Sequence, residues 1–229
     1  MIEDYEQRFP GNDIHPTAVI GPNVTMGTGN YIGPYCVIGM PGEHREKWGE
    51  DKGVLIGDRC KFTGHVTIDA GIEGRTMIGD NAFIMKHAHV GHDVVIYPNV
   101  TISCGAKIGG HTIVQVGANI GLNAVIHQKH SIAANVMIAM GAVVTLKCQT
   151  REEYMYAGNP AVEKGRNKKA PFYKTNLPGS YQTENVKSFP HVIGPVDVRI
   201  RCGDRTLIYS GIFQDVDEHT KNLIVKSKS

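Results

Sequence analysis

Large aliphatic side chains recur along this chain with a period of six residues. From Ile78 to Val144 every sixth residue is isoleucine or valine, so that twelve successive positions of the repeat are all aliphatic. Because 41% of the chain is hydrophobic, chance would produce such a run with a probability on the order of 10⁻⁵. The same spacing runs from Ile14 to Ile38 and from Ile56 to Ile68. The pattern therefore predicts three blocks of hexads, twenty in all.

Each hexad has a second apolar position, two residues before the aliphatic one. It is mostly small, with Ala82 and Ala88 typical and His130 the exception. A period of six fits neither an amphipathic helix nor a single strand, whose periods are 3.6 and 2. Three hexads can instead form one triangular coil of short strands, and coils stacked at about 4.8 Å give a prism roughly 33 Å tall. We therefore expect an all-β parallel β-helix with isoleucines inside it.

Glycine is abundant, with 27 residues, and some glycines have a fixed place in the hexad. We expect those that directly follow a large aliphatic residue to form the corners of the coil, where a Cβ would be costly. These are Gly79, Gly91, Gly109 and Gly121.

Two segments interrupt the repeat and are expected to be loops. Residues 40–53 (MPGEHREKWGEDKG) are charged and contain the only tryptophan, and residues 69–77 add about four residues to a coil. We therefore predict a β-helix domain over residues 1–150 with these two insertions, and a C-terminal extension over residues 151–229. Alternating apolar residues around 196–200 and 206–209 predict a β-hairpin in that extension.

Composition excludes several classes of protein. With 24 basic and 22 acidic residues the net charge is +2, which does not indicate a nucleic-acid partner. There is no apolar run of roughly 18 residues and no secretory signal at the start, so we predict a cytoplasmic protein without a membrane span. The five cysteines contain no CxxC pair, which favours reduced thiols, with Cys36 and Cys60 in the core.

Histidines concentrate at positions that the hexad displays outward. Three occur within six residues, followed at once by Asp93, and this clustering indicates catalytic chemistry. His130 falls at an inward position, where we expect a satisfied core or end-cap histidine. The outward histidines of this region are His87, His89, His92, His111 and His127.

The segment IGDNAFIMKHAHVGHD at 78–93 resembles the catalytic segment of hexapeptide-repeat acyltransferases, above all the UDP-N-acetylglucosamine acyltransferases that begin lipid A synthesis. Further similar strings are SCGAKIGGH at 103–111, AVIHQ at 124–128 and AGNPAVEKGRN at 157–167. The resemblance covers about residues 12–167. It implies a left-handed coil, a homotrimer, and acyl transfer to a nucleotide-linked sugar for lipid A or a surface polysaccharide.

The resemblance also implies roles for individual residues. His92 matches the general base that deprotonates the acceptor, and Asp93 the carboxylate that orients it; imidazole suits this task because its ordinary pKa is near 6.5. Gly110 matches the residue whose backbone N–H stabilises the oxyanion. Substrate contacts are implied for Lys47, His89, His111, His127 and Gln128. No metal and no bound cofactor are implied; the co-substrate is an acyl carrier protein or CoA thioester, and the site lies in a groove between trimer neighbours.

Three alternatives stay open at the level of sequence. Because the resemblance ends near Asn167 and the loop string EHREK departs from the family, the donor carrier and the acceptor sugar are open, including N-acylation of a dTDP-amino sugar. The spacing of His65, His87 and His92 also resembles the zinc ligands of γ-class carbonic anhydrases. A plain structural or ice-binding prism is the third, although the outward Thr-x-Thr ladder of ice-binding prisms is missing.

Overall fold

A computed structural model of the chain describes residues 5–168 and 170, and the backbone of residues 193–202 and 205–214. The chain forms two compact units, residues 1–176 and 177–229. In the described part of the first unit a short helix, α1 (Tyr5–Arg8), is followed by short strands, most of them parallel. No helix in the described part of the chain has the length and apolarity needed to cross a bilayer.

The strands of the first unit form three sheets, which are the three faces of a prism. The first face contains β1 (Asp13–Ile14), β4 (Tyr31–Ile32), β7 (Lys61–Phe62), β10 (Phe83–Ile84), β13 (Thr101–Ile102), β16 (Asn119–Ile120), β19 (Met137–Ile138), β21 (Tyr154–Ala157) and β22 (Val162–Arg166). The second face contains β2 (Val19–Ile20), β5 (Val37–Met40), β8 (Thr67–Asp69), β11 (His89–Val90), β14 (Lys107–Ile108), β17 (Val125–Ile126) and β20 (Val143–Val144). The third face contains β3 (Val24–Met26), β6 (Val54–Ile56), β9 (Thr76–Ile78), β12 (Val95–Ile96), β15 (Ile113–Val114) and β18 (Ser131–Ile132).

Each of the twenty predicted hexads places its large aliphatic or aromatic residue in one of the strands β1 to β20. These side chains stack in register from coil to coil, as Ile84 does on Ile102, and most are fully buried. Cys36 and Cys60 are also fully buried, as expected. The predicted fold class, a left-handed parallel β-helix, is confirmed, and its stability comes mainly from this column, at roughly 1.5–3 kcal/mol for each buried aliphatic side chain.

The predicted cost of a Cβ at the glycines that directly follow the aliphatic residues is confirmed, and its cause is close packing against the next coil. From Ile78 to Ile138 the backbone takes a positive φ three residues after each aliphatic residue of the repeat, whereas Gly79 and Gly121, one residue after it, do not. A Cβ on Gly79 would lie 2.6 Å from the backbone nitrogen of Pro98, and one on Gly121 would lie 2.6 Å from the carbonyl oxygen of Ile138. These glycines are therefore needed because the next coil packs closely against them, and the left-handed corners are occupied by polar residues such as Asn81.

His130 is inward and buried, as expected, but it is not satisfied. Its Nε2 has no hydrogen-bond partner, and burial lowers the pKa of its imidazole, which favours the neutral form. The expectation of a satisfied core histidine is therefore wrong on this point.

Beyond residue 150 the first face continues. β21 pairs with β19, and Tyr156 stacks on Ile138 in the next coil, where an aromatic residue replaces the aliphatic one. The predicted boundary at residue 150, between an acyltransferase domain and a C-terminal extension, stays a prediction. The second unit contains an antiparallel hairpin of β23 (Ile193–Cys202) and β24 (Arg205–Gln214), which confirms the predicted hairpin.

Candidate active site

Both loops leave the prism at the same corner, where the second face meets the third. The first loop, residues 41–53, connects β5 to β6, and the second loop, residues 70–75, connects β8 to β9. The next coils turn this corner between β11 and β12 and between β14 and β15. Those two turns contain the residues for which the resemblance implies catalytic roles, His92, Asp93 and Gly110. We call this edge of the prism the catalytic corner.

Stacking of the coils sets which residues are neighbours at the catalytic corner. The N–H of His111 donates to the carbonyl oxygen of His92 at 2.9 Å, and the N–H of Lys129 donates to that of Gly110 at 2.8 Å. A step of eighteen residues therefore places Gly110 beside His92, and His111 beside Asp93.

His92 and Asp93 form a hydrogen-bonded pair. Nδ1 of His92 lies 2.8 Å from Oδ2 of Asp93, and their side chains are only 12% and 7% exposed. Asp93 has φ 58°, in the left-handed region, so the corner itself directs its side chain. A carboxylate at this distance fixes the tautomer in which Nδ1 carries the proton and Nε2 keeps its lone pair.

The second loop holds the carboxylate of Asp93 through its backbone. The N–H groups of Glu73 and Gly74 donate to Oδ1 at 2.9 and 2.7 Å, and the N–H of Ile72 donates to Oδ2 at 3.1 Å. Burial alone would raise the pKa of Asp93, but these donors and His92 outweigh it and hold the pKa below its usual range. Asp93 is therefore ionised at neutral pH and fixed in orientation.

Two glycines leave room for the imidazole of His92. A Cβ on Gly110 would lie 2.9 Å from both Cε1 and Nε2 of that ring. A Cβ on Gly42, in the first loop, would lie 2.6 Å from Cβ of His92. Only glycine allows the two segments to approach this closely, so Nε2 of His92 is left beside the Gly110 backbone.

His111 packs edge to face against His92, with ring centroids 5.0 Å apart. Its Nε2 lies 3.9 Å from Oδ2 of Asp93, which is too long for a hydrogen bond. Burial lowers the pKa of His111, and the charge of Asp93 offsets only part of this effect. His111 is therefore a neutral neighbour of the pair, in keeping with a contact to substrate.

A second histidine and aspartate lie next to the first pair, and sequence reasoning named only the histidine. Nε2 of His89 lies 3.7 Å from Oδ2 of Asp69, and its Nδ1 is 2.8 Å from the hydroxyl of Thr67. Burial, together with the charge of Glu43, raises the pKa of Asp69 to about 6. The six-residue repeat could have identified Asp69 as a residue of this site. Asp69 directly follows an inward aliphatic residue, Ile68, at the same position in the hexad that Gly91 occupies one coil later.

Lys47 crosses from the first loop to the second. Its Nζ lies 2.9 Å from Oε1 of Glu73, and this hydrogen bond raises the pKa of the lysine and lowers that of the glutamate. Both side chains are nearly half exposed, so the ion pair contributes little stability. The same Glu73 donates its N–H to Asp93, which links Lys47 to the catalytic pair.

The other predicted substrate contacts lie one coil further along the catalytic corner. His127 and Gln128 are exposed, and Nδ1 of His127 bonds to the carbonyl oxygen of Gln128 at 2.9 Å. They continue the row of outward-facing residues along the catalytic corner. No described hydrogen bond joins them to the His92 and Asp93 pair.

The histidines of the zinc alternative are not gathered in one place. His65 and His87 stack at 4.8 Å between their ring centroids, on the corner between the first and second faces, whereas His92 lies on the catalytic corner. Among the described residues, the group that could hold a metal ion is His92, Asp93 and His111, whose ligand atoms lie within 4.8 Å of one another. Both oxygens of Asp93 already accept hydrogen bonds, which a metal would have to displace.

The chain is similar to several known proteins. A profile of the bacterial transferase hexapeptide family (six repeats) matches residues 75–110. The acyl-[acyl-carrier-protein]–UDP-N-acetylglucosamine O-acyltransferase of Campylobacter concisus is 33% identical over 53% of this chain and 53% of its own length. The enzyme of the same name from Sinorhizobium fredii is 30% identical over 65% of this chain and 55% of its own length.

Among solved structures, the UDP-N-acetylglucosamine acyltransferase of Bacteroides fragilis superposes with a TM-score of 0.68 at 27% identity. The match covers 74% of this chain and 66% of that one. The chain spans about half the length of the curated relatives it matches. The similarity thus confirms the hexapeptide-repeat fold and the predicted resemblance.

Proposed function

We propose that this chain is an acyltransferase that moves an acyl group from a thioester to a hydroxyl or amine of a nucleotide-linked sugar. The observation that carries the proposal is the His92 and Asp93 pair, clamped by three backbone N–H groups with Nε2 left beside Gly110. The relatives, named for transfer of an acyl group from acyl carrier protein to UDP-N-acetylglucosamine, support the substrate class. The product would serve lipid A or surface polysaccharide synthesis.

In this mechanism Nε2 of His92 accepts the proton of the acceptor group as that group attacks the thioester carbon. Asp93, ionised and fixed, stabilises the imidazolium that forms, because its Oδ2 lies 2.8 Å from Nδ1. Collapse of the tetrahedral intermediate breaks the carbon–sulfur bond, and His92 returns the proton to the departing thiolate. No acyl group is attached to the protein, and no metal or bound cofactor takes part.

The developing oxyanion needs a donor close to the base. Gly110 lies against the imidazole of His92, and we assign its backbone N–H to this task. The two loops lie on one side of His92, and His111, His127 and Gln128 follow on the other. We assign the loops, with Lys47, to the acceptor and its phosphates. We assign the residues of the later coils at this corner to the thioester, which is carried by acyl carrier protein or CoA.

We also propose that the chain works as a homotrimer. The catalytic corner is a convex edge of one prism, and an edge cannot enclose a substrate unless another surface faces it. A neighbouring copy would close the groove. Light scattering coupled to gel filtration gives the test: a mass of about three chains supports the proposal, and an active monomer contradicts it.

Thiol release measures the proposed reaction directly. Purified protein is assayed over a grid of acyl-CoA and acyl carrier protein donors of different chain length against UDP- and dTDP-linked sugars, with mass spectrometry of the product. The proposal predicts an acylated sugar nucleotide formed in equal amount to the thiol, and loss of both in His92→Ala. Thiol release with no acylated sugar nucleotide would contradict it.

A further inference from the structure

A second acid–base pair, Asp69 and His89, adjoins the catalytic pair and has no task in the mechanism above. Asp69 is the last residue of β8 and lies one coil before Gly91, the residue next to His92. His89, in β11, pairs in register with Thr67, which fixes its Nδ1, while its Nε2 is 3.7 Å from Asp69. The prism therefore presents two histidine–aspartate pairs side by side at one corner.

The second pair carries net negative charge. Burial lowers the pKa of His89, so its imidazole is neutral at neutral pH, whereas Asp69, with a pKa of about 6, is largely ionised. Glu43 of the first loop adds a further negative charge that acts on both groups. Among the described residues, His89 is the one basic side chain within 4 Å of the carboxylate of Asp69, and its neutral imidazole does not balance that charge.

The nearest lysine along the second face does not neutralise this charge. Lys107 pairs in register with His89, but its Nζ is directed to the carbonyl oxygens of His87 and Gly105, at 3.0 and 2.7 Å. Those carbonyls belong to the opposite corner of the second face. A partly buried carboxylate without a cation beside it is costly, so its position one coil before Gly91, the neighbour of His92, points to a cationic ligand.

We propose that Asp69 and His89 select an amine as the group that is acylated, so that the acceptor is an amino sugar carried on a nucleotide. This inference rests on the proposed function. It names the acceptor atom, which the proposed function leaves as oxygen or nitrogen.

The proton balance of the reaction explains why an amine needs a second pair. A hydroxyl loses one proton, which His92 can take and pass to the thiolate. An ammonium group must lose a first proton before its nitrogen is nucleophilic, and a second one after the carbon–nitrogen bond forms. Asp69 accepts the first and releases it to solvent; His92 accepts the second and gives it to the sulfur as the carbon–sulfur bond breaks. The products are an amide, a free thiol and one proton.

The test compares acceptors that differ in one atom. Full-length protein is assayed by thiol release with UDP-N-acetylglucosamine and with analogues in which the hydroxyl at carbon 3, 4 or 6 is an amino group, in UDP- and dTDP-linked series. We expect one amino analogue to exceed the parent hydroxyl compound at least 10-fold in kcat/KM, since a charge-assisted contact accounts for roughly 10- to 100-fold. The product should resist hydroxylamine, as an amide does.

The outcomes separate the two proposals. If UDP-N-acetylglucosamine is acylated on oxygen with equal or greater kcat/KM, the inference is overturned and the proposed function stands. If no acceptor of either kind is acylated with any donor, the proposed function fails and the inference fails with it.

Variants test the residue assignment. Asp69→Asn should lower kcat/KM for the amino acceptor by roughly 10- to 100-fold while changing that for a hydroxyl acceptor less than about 3-fold. Glu43→Gln, on the exposed first loop, should do the same to a smaller degree and serves if Asp69→Asn does not fold. Asp13→Asn, an exposed carboxylate on the first face, is the matched control. Equal losses for both acceptors would show that Asp69 has only a structural role.

Discussion

Oδ1 of Asp93 accepts the backbone N–H of Glu73 at 2.9 Å, while the side chain of that same Glu73 holds Lys47. One residue of the second loop therefore contacts both the catalytic pair and the residue assigned to the acceptor phosphates. Formation of the site depends on the loop backbone as much as on the histidines, because three consecutive N–H groups determine where Asp93 points.

Removal of the general base gives the first prediction. His92→Ala should lower turnover by roughly 10² to 10⁴, which is the usual cost of losing a positioned general base. The fold should be unaffected, because His92 is at a corner and not in the aliphatic column. Steady-state thiol release measures the effect, and His87→Ala, at the opposite corner of the second face, is the matched control. Near-normal turnover in His92→Ala would remove it from this role.

A methyl group beside the imidazole gives the second prediction. Gly110→Ala places a Cβ 2.9 Å from Nε2 of His92 and should lower kcat at least 10-fold by displacing the ring. Gly121→Ala places a Cβ 2.6 Å from the carbonyl oxygen of Ile138, at another corner. The second variant should lower the melting temperature with little change in kcat. Similar kcat values for the two variants would show that the approach of Gly110 to His92 has no catalytic importance.

The crossing ion pair gives the third prediction. Lys47→Met should raise the KM for the sugar nucleotide at least 10-fold through loss of a charge at its phosphates. The melting temperature should change by less than about 2 °C, because the pair with Glu73 is exposed. Lys52→Met, from the same loop, is the control. An unchanged KM in Lys47→Met would assign the lysine to loop structure alone.

The raised pKa of Asp69 gives the fourth prediction, which concerns stability. A carboxyl whose pKa rises from about 3.9 in the unfolded chain to about 6 in the folded one favours folding below pH 3.9. That contribution is lost as the pH rises through 6. Asp69→Asn should therefore raise the melting temperature at pH 8, by roughly 2–4 °C for each 1 kcal/mol gained, and leave it unchanged at pH 4. Melting curves at the two pH values measure this, and a lower melting temperature at pH 8 would contradict it.

The prism could be predicted from sequence because its signal is repeated in every coil. A single isoleucine such as Ile102 says little, but its place among twenty such residues, stacked in three columns, decides the fold. The position in the hexad also correctly predicts that His92 faces outward and that His130 is buried. It could not show that Nε2 of His130 lacks a partner, because hydrogen bonding depends on neighbours from other coils.

The surroundings of the base were not predictable in this way. Asp93 was identified by its resemblance, but its three N–H donors come from a loop with no repeat, where sequence carries no phase. Asp69 is the first residue of the predicted loop 69–77, but in the structure it is the last residue of β8. The reason that the corners need glycine also depends on neighbouring coils: Gly79 and Gly121 allow close packing between coils, whereas residues such as Asn81 and Asp93 adopt the left-handed conformation themselves.

Both loops leave from and return to the catalytic corner, and the strands on either side keep their register, as Val24 does with Val54 and Thr76 with Val54. The length of either loop can therefore change without shifting a single residue of the aliphatic column. The two loops are therefore separable from the scaffold: exchange of residues 41–53 or 70–75 would alter the contacts that we propose for the acceptor phosphates, while Asp69 and His89, which lie in strands, would stay in place.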